Sequence, residues 1–447
     1  MPIRLALFQR ESRPLDGLCG QLQCAGYEVL AHDHGVGILG LAEYSGVDVL
    51  LVDGDIEEAE ALIKEIKNSP RTSDLPIMLI VEEASSCLSR FSTTEHFDDV
   101  VILPVFHDEF QDRVRNLARL TSMRSELQRR MQVQSDFSGD QHGHNTSVAT
   151  IDRLSILFVG SADDSRTAMV DLLGQATTIK YAETPSDALG QLRQNHTDIV
   201  IANSETTLPH ELLTFCQQIA LSAHLADLPI VLMTGSDTSA SLELFCRDCQ
   251  VDLLRLPVMP IATDKRLRVL ARQHRLKARL RDVAAGKPTT SMIDGLTGLY
   301  GHSFLHHYLN RSIAESRERQ LPLSLITIRI EELAYVNEVL GYPMGDQLIA
   351  RLAMTLIGNC RAQDLVARNS GTTICIALND TSVHEAQAVG GRLKQILQEA
   401  ITRWANEHRT HLDLIVEMTG LSPYDDARTM ISRANQRSTV HPLCRAS

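Results

Sequence analysis

The chain has 447 residues, 43% hydrophobic and 22% charged, which is ordinary for globular protein but more than one core normally serves, so two to four domains are expected. A formal net charge of −13 and only 4% aromatic residues argue against a general nucleic-acid binder, an anionic-membrane binder or a stacking platform for single strands. Nine cysteines show one CxxC, Cys246 to Cys249, with no second pair or suitably placed histidine pair, so no metal site is expected.

The N-terminus, MPIRLALFQRES, has no long apolar stretch, and no segment approaches about 20 uninterrupted apolar residues. No membrane insertion and a cytoplasmic, reducing location are expected. Short apolar runs then alternate with helical patterns: Ile3 to Phe8, Val47 to Val52, Ile77 to Val81 and Val100 to Leu103, followed by a helix through Phe110, Val114, Leu117 and Leu120. This predicts a first α/β domain over 1–121. The polar stretch from Gln134 to Ala149, with His142 and His144, lacks apolar periodicity, and a linker is expected over 122–152.

The same pattern returns over 153–282, with strands at Leu154 to Val159, Ile199 to Ala202, Ile230 to Met233 and Leu253 to Leu254. Asp48 to Asp53, followed by Pro76, echoes Asp198 to Asn203, followed by Pro229, which predicts two doubly wound domains in tandem. A basic helix from Lys265 to Arg281 closes the second repeat and reads either as a solvated connector or as a dimer seam. A linker is expected over 283–292 and a third domain over 293–440, alternating strands with helices.

Both repeats resemble response-regulator receiver domains, which have a flavodoxin-like fold. That resemblance implies an acceptor aspartate after the third strand, acids after the first to hold Mg²⁺, and a lysine before a proline. Asp53 matches the acceptor of the first repeat, but Gln9 and Arg10 stand at the acids, Val81 at the Thr/Ser position and Leu103 at the lysine. Glu11 or Asp55 is a partial substitute, and Asp53 is either a phosphoacceptor or a structural residue. In the second repeat Asn203 replaces the acceptor, Gly160 and Ser161 the acids and Leu256 the lysine; Thr234 remains. An amide forms no acyl phosphate, so an adaptor or dimerisation role is expected there.

In the third domain, DGLTGLY (Asp294 to Tyr300), VNEVLGYPMGDQL (Val336 to Leu348) and RAQDLVARNSGTTI (from Arg361) follow one another in the order and register of the GGDEF diguanylate cyclase family, which they resemble. The resemblance implies an α+β domain that joins two GTP molecules with Mg²⁺. Arg329 stands where a metal aspartate belongs, and Ser370 to Ile374 replace the Gly-Gly-Asp/Glu-Glu-Phe hairpin, with Thr372 and Thr373 in place of carboxylates. The lysine expected near Ala334 and the basic C-terminal motif after Ala434 are absent. No catalytic residue is therefore expected and no cofactor is required.

Asn337 and Asp346 match the family's guanine contacts, or else cap a turn and a helix. Arg361-Ala-Gln-Asp364 matches the family's RxxD product site, with Arg392 as the further arginine. Cyclic di-GMP is thus the implied ligand. Some relatives use a second arginine, and Glu315 falls near that position. Two receivers before a GGDEF-like domain is the layout of PleD-type response regulators. Its catalytically silent branch implies a homodimeric cell-cycle adaptor that works with other adaptor proteins and protease substrates, at a cell pole, with the ClpXP protease.

Overall fold

The computed structural model describes residues 3–9, 16–44, 46–55, 58–82, 96–105, 107–138, 153–160, 173, 177–207, 209–222, 225, 227–235, 242, 245–246, 251–256, 259–285 and 292–436. Arg10, Glu11, His142, His144, Ser161, Cys249 and Pro257 lie outside these. The chain forms two compact units: residues 2–124 with 147–278, and residues 125–146 with 279–447.

The first unit holds two five-stranded parallel sheets. One comprises β1 (Arg4–Phe8), β2 (Glu28–His32), β3 (Val49–Asp53), β4 (Ile77–Glu82) and β5 (Asp99–Leu103) in the order β2-β1-β3-β4-β5. The other comprises β6 (Leu154–Val159), β7 (Thr177–Ala182), β8 (Ile199–Asn203), β9 (Ile230–Thr234) and β10 (Asp252–Arg255) in the order β10-β9-β8-β6-β7. Both have the flavodoxin-like order 2-1-3-4-5. The central strands β3 and β8 are buried along their whole length, as largely apolar runs in a parallel sheet covered on both faces are. The duplication extends to detail. Asp48 accepts from the Arg4 N–H at 2.8 Å, and Asp198 accepts from the Ser155 N–H at 2.9 Å.

The basic helix Pro260–Ala285 is not a solvated connector. Its Arg272 pairs with Asp98, which Lys67 also holds at 3.0 Å. Arg266 reaches Glu109 at 3.3 Å and Asp252 at 3.4 Å, Gln273 donates to the Asn116 carbonyl at 2.6 Å, and Arg275 pairs with Asp198 at 2.7 Å. Cations therefore fasten this helix to both sheets of the unit.

The second unit contains one antiparallel sheet of β11 (Leu323–Ile330), β12 (Leu365–Ser370), β13 (Thr373–Asn379) and β14 (Leu414–Gly420), ordered β12-β13-β11-β14. Residues alternate between faces. Ile326, Ile328 and Ile330 join Leu352, Leu393 and Trp404 in one core, while Leu323 and Leu325 join Tyr308, Leu309 and Met430 in the other.

The expected linker over 122–152 is replaced, at its start, by helix. His107–Ser138 is one helix, and in the second unit its Val133 and Phe137 pack on the core around Phe304. Few apolar residues mark this stretch, and charged neighbours hide them in sequence. Residues 139–152 lie outside the described residues.

Candidate functional site

Helix Tyr342–Asn359 ends at Cys360, whose extended backbone sends the chain into a turn before β12. The Asp364 N–H donates to the Arg361 carbonyl at 3.0 Å, and the Asp364 carboxylate accepts from the Arg361 N–H at 2.9 Å. From helix Val383–Glu407, Arg392 donates to the Asn359 carbonyl at 3.0 Å, beside the same turn. The two arginines are exposed, so their guanidinium groups face water. Burial pushes the Asp364 carboxyl up to about 6, only partly offset by the Arg361 N–H and charge. Between these groups, burial and the Asp364 charge push the Cys360 thiol up to about 12, against the pull of Arg392. The three residues matched to the product site thus stand together on one surface.

Across the sheet, Arg329 of β11 lies directly opposite Thr373 of β13 and Ile415 of β14. Its guanidinium comes within 4.0 Å of Glu417. A divalent cation is held by oxygen donors, carboxylates above all. A guanidinium beside Thr372 and Thr373 does not fit one, and among the described residues no group of three His, Cys, Asp or Glu side chains is placed to ligate a metal. Asn337 and Asp346 sit on helix Leu333–Leu340 and helix Tyr342–Asn359. Gly345 packs so tightly under Asn337 that a Cβ there would lie 2.0 Å from Asn337 Oδ1, an oxygen that is buried and has no hydrogen-bond partner. Asp346 is exposed.

In the first unit, Asp53 and Asn203 occupy the same place at the end of β3 and β8. Each accepts from the N–H two residues on, Asp53 from Asp55 at 3.1 Å and Asn203 from Glu205 at 2.9 Å. This turn needs only a side-chain oxygen, so an amide serves as well as a carboxylate. Gly160, at an acid position of the second repeat, has φ +146°, and a Cβ there would meet Thr206 Oγ1 at 2.6 Å. No acidic side chain fits that position.

Residues 291–439 match the family model described as diguanylate cyclase, GGDEF domain. The C-terminal domain is a GGDEF domain. The response regulator PleD of Caulobacter vibrioides is 23% identical over 382 residues, 82% of this chain and 81% of PleD. The diguanylate cyclase DosC of Escherichia coli K12 is 24% identical over 144 residues, 32% of this chain and 31% of DosC. Among solved structures, the GGDEF domain of DgcB from Caulobacter crescentus, in complex with c-di-GMP, is 22% identical with a TM-score of 0.29. That match covers 33% of this chain and 84% of that one. Among the described residues, no helix is long and apolar enough to cross a membrane.

The GGDEF domain also holds residues that sequence reasoning passed over. Glu126, Arg129 and Arg130, from the helix His107–Ser138, are all buried against it. Glu126 accepts from the Tyr308 hydroxyl at 2.7 Å and pairs with both arginines at 2.6 Å, while Arg129 also pairs with Glu315 at 2.8 Å. Glu315, near the position of the second arginine in some relatives, is therefore occupied by Arg129 and, at 3.2 Å, by Arg311. The only sequence signal was the Glu-x-x-Arg-Arg spacing, which a solvated helix shows equally well.

The motif Asp294 to Tyr300 serves the fold. The Asp294 carboxylate accepts from the Thr297 N–H at 2.9 Å and from Arg368 of β12 at 2.9 Å. Burial would raise its pKa, but these bonds outweigh it and hold the carboxyl low.

Proposed function

We propose that this chain is a cyclic di-GMP receptor whose GGDEF domain no longer makes the dinucleotide, and that it acts as an adaptor for protein partners. The observation that carries the reading is the meeting of Arg361, Asp364 and Arg392 on one surface of a domain with Arg329, Thr372 and Thr373 at its metal positions. A guanidinium offers two parallel donors to guanine O6 and N7, a carboxylate accepts from the guanine ring N–H and amine, and arginine charge meets the phosphates. Asn337 and Asp346 are then vestigial guanine contacts or structural residues, not part of a working site.

The two doubly wound domains are read as receiver-like on their strand order and the PleD similarity. Asp53 keeps the acceptor type without the expected neighbours, since Gln9, just past β1, and Leu103, at the end of β5, stand at the positions where an acid and a lysine are expected. A homodimer, a polar location and delivery of regulators to ClpXP rest on the resemblance to PopA-like adaptors alone.

The test is calorimetric titration of the full chain with cyclic di-GMP. Wild type binds, and Arg361→Ala weakens binding by about 30- to several-thousand-fold, the scale of losing one partner of a charged hydrogen-bond pair. No heat of binding to the wild type sinks the receptor reading and leaves a nucleotide-independent scaffold. The family match equally accommodates a diguanylate cyclase, and formation of cyclic di-GMP from GTP by the purified chain establishes that reading instead.

A further inference from the structure

We infer that Arg130 is the positioning residue of the Arg361–Asp364 turn, holding its backbone from the buried side so that the Asp364 carboxylate is presented to a ligand. The inference deepens the receptor reading and rests on it for the identity of the ligand. Arg130 is only 5% exposed and lies over the Tyr300 ring, 5.7 Å from its centroid. One terminal nitrogen donates to the carbonyls of both Ala362 and Asp364, at 3.0 Å each. The other donates to the Leu280 carbonyl at 3.3 Å, and Nε donates to Glu126 at 2.6 Å.

Each bond has a consequence for the turn. Two of its carbonyls point into the domain, where an unmade hydrogen bond is expensive, and a single guanidinium satisfies both. From the other side, the Asp364 carboxylate is fastened to the Arg361 N–H at 2.9 Å. Asp364 is thus held twice, by its backbone through Arg130 and by its side chain through the turn. Arg130 is itself braced, because the second oxygen of Glu126 is taken by Tyr308 and Arg129. Since Arg130 is buried, it acts through the turn and not by touching a ligand.

Lysine is the discriminating substitution. Arg130→Lys keeps the positive charge beside Glu126, but one ammonium cannot span the four acceptors that the planar guanidinium reaches. Two measurements on the full chain decide the matter: calorimetric titration with cyclic di-GMP, and hydrogen exchange of the peptide covering residues 359–366 without ligand. Arg130→Lys is expected to weaken binding about 10- to 100-fold, the scale of losing a supporting partner behind a ligand-holding group. It should also speed exchange in the turn and lower the melting temperature, because buried carbonyls lose their donor. Arg361→Ala should lose binding with turn exchange unchanged.

Arg130→Lys protein that binds like wild type, with unchanged exchange, overturns the inference. So does a lowered melting temperature with an unaltered ligand constant, which marks Arg130 as structural only. If wild type binds no cyclic di-GMP, the receptor reading fails by itself, and faster turn exchange in Arg130→Lys still establishes the positioning. Should the lysine variant not fold, Glu126→Gln/Arg130→Met, which leaves neither buried charge unpaired, carries the same two measurements.

Discussion

Asp364 is asked to be an anion by its proposed ligand and to be neutral by its surroundings. Burial pushes its carboxyl up to about 6, above the usual 3.8, with the Arg361 N–H pulling only partly the other way. Because the folded value is raised, the folded state binds more protons than the unfolded one between about pH 4 and 6. The contribution of Asp364 to stability is therefore fully present below that window and lost as pH rises through it. Ligand binding runs the opposite way. A protonated carboxyl loses an acceptor for the guanine N–H groups, so cyclic di-GMP affinity should fall as pH drops through about 6. Titrations between pH 5 and 8 check this, and Asp364→Asn should flatten the profile; a wild-type affinity independent of pH would detach Asp364 from the ligand.

At this scale the sequence was informative where local structure depends on spacing within a few residues, as in the turn from Arg361 to Asp364. Arg392 could be placed only by family register, since its approach to Asn359 is made by the packing of two helices. Arg130 was not legible, because nothing in Glu-Leu-Gln-Arg-Arg distinguishes a charge facing water from one facing carbonyls.

Among the elements, helix Pro260–Ala285 shows how a charge run reads ambiguously. Its amphipathic pattern and buried Leu276 and Leu280 were plain in the sequence. Its partners were not, because most of them, such as Asp98, Glu109 and Asn116, come from elements far away in the chain. Asp98 concentrates this dependence. Burial would raise its pKa, but Lys67 and Arg272 outweigh it and hold the carboxyl far below its usual range. With the folded value depressed, the stability it contributes is present above about pH 4 and is lost as pH falls through the acid range.

Arg272→Met should lower the unfolding free energy by about 3 kcal/mol, near the lower end for breaking a buried pair because Lys67 remains. Arg268→Met, which removes a pair with Asp264 one turn earlier on the same helix, should change it by less than about 1 kcal/mol. Urea unfolding at neutral pH measures both, and equal effects would show that the helix is held by its apolar side alone. Helix His107–Ser138 teaches the same lesson from the other direction. Beyond residue 121 its polar composition suggested a linker, while Met123, Leu127 and Val133 are all buried.

For the whole molecule, the architecture was legible because it repeats: the same apolar runs and the same aspartate at the foot of the third strand occur twice. Arg329 and Thr373 could be read in the sequence only one at a time, and their adjacency is supplied by strand pairing. The full chain incubated with GTP and Mg²⁺ or Mn²⁺ should yield no cyclic di-GMP. Chromatography of the reaction checks this, and product that scales with the concentration of this chain would refute it.

The strands β3 and β8 hold the same place in two sheets of the same order, and their two ends differ in how strictly the fold specifies them. At the foot, Asp48 and Asp198 still clasp the neighbouring strand with bonds of 2.8 and 2.9 Å. At the head, one copy keeps Asp53 and the other carries Asn203, yet both still close the same turn. Folding asks only for an oxygen there, so acid and amide serve the fold alike. In the second sheet Gly160 has a backbone angle at which a side chain is strained, and a Cβ there would crowd the Thr206 hydroxyl at 2.6 Å. The fold is thus indifferent to the choice that acid chemistry would depend on: carboxylate or amide, the scaffold around the strand end stays the same.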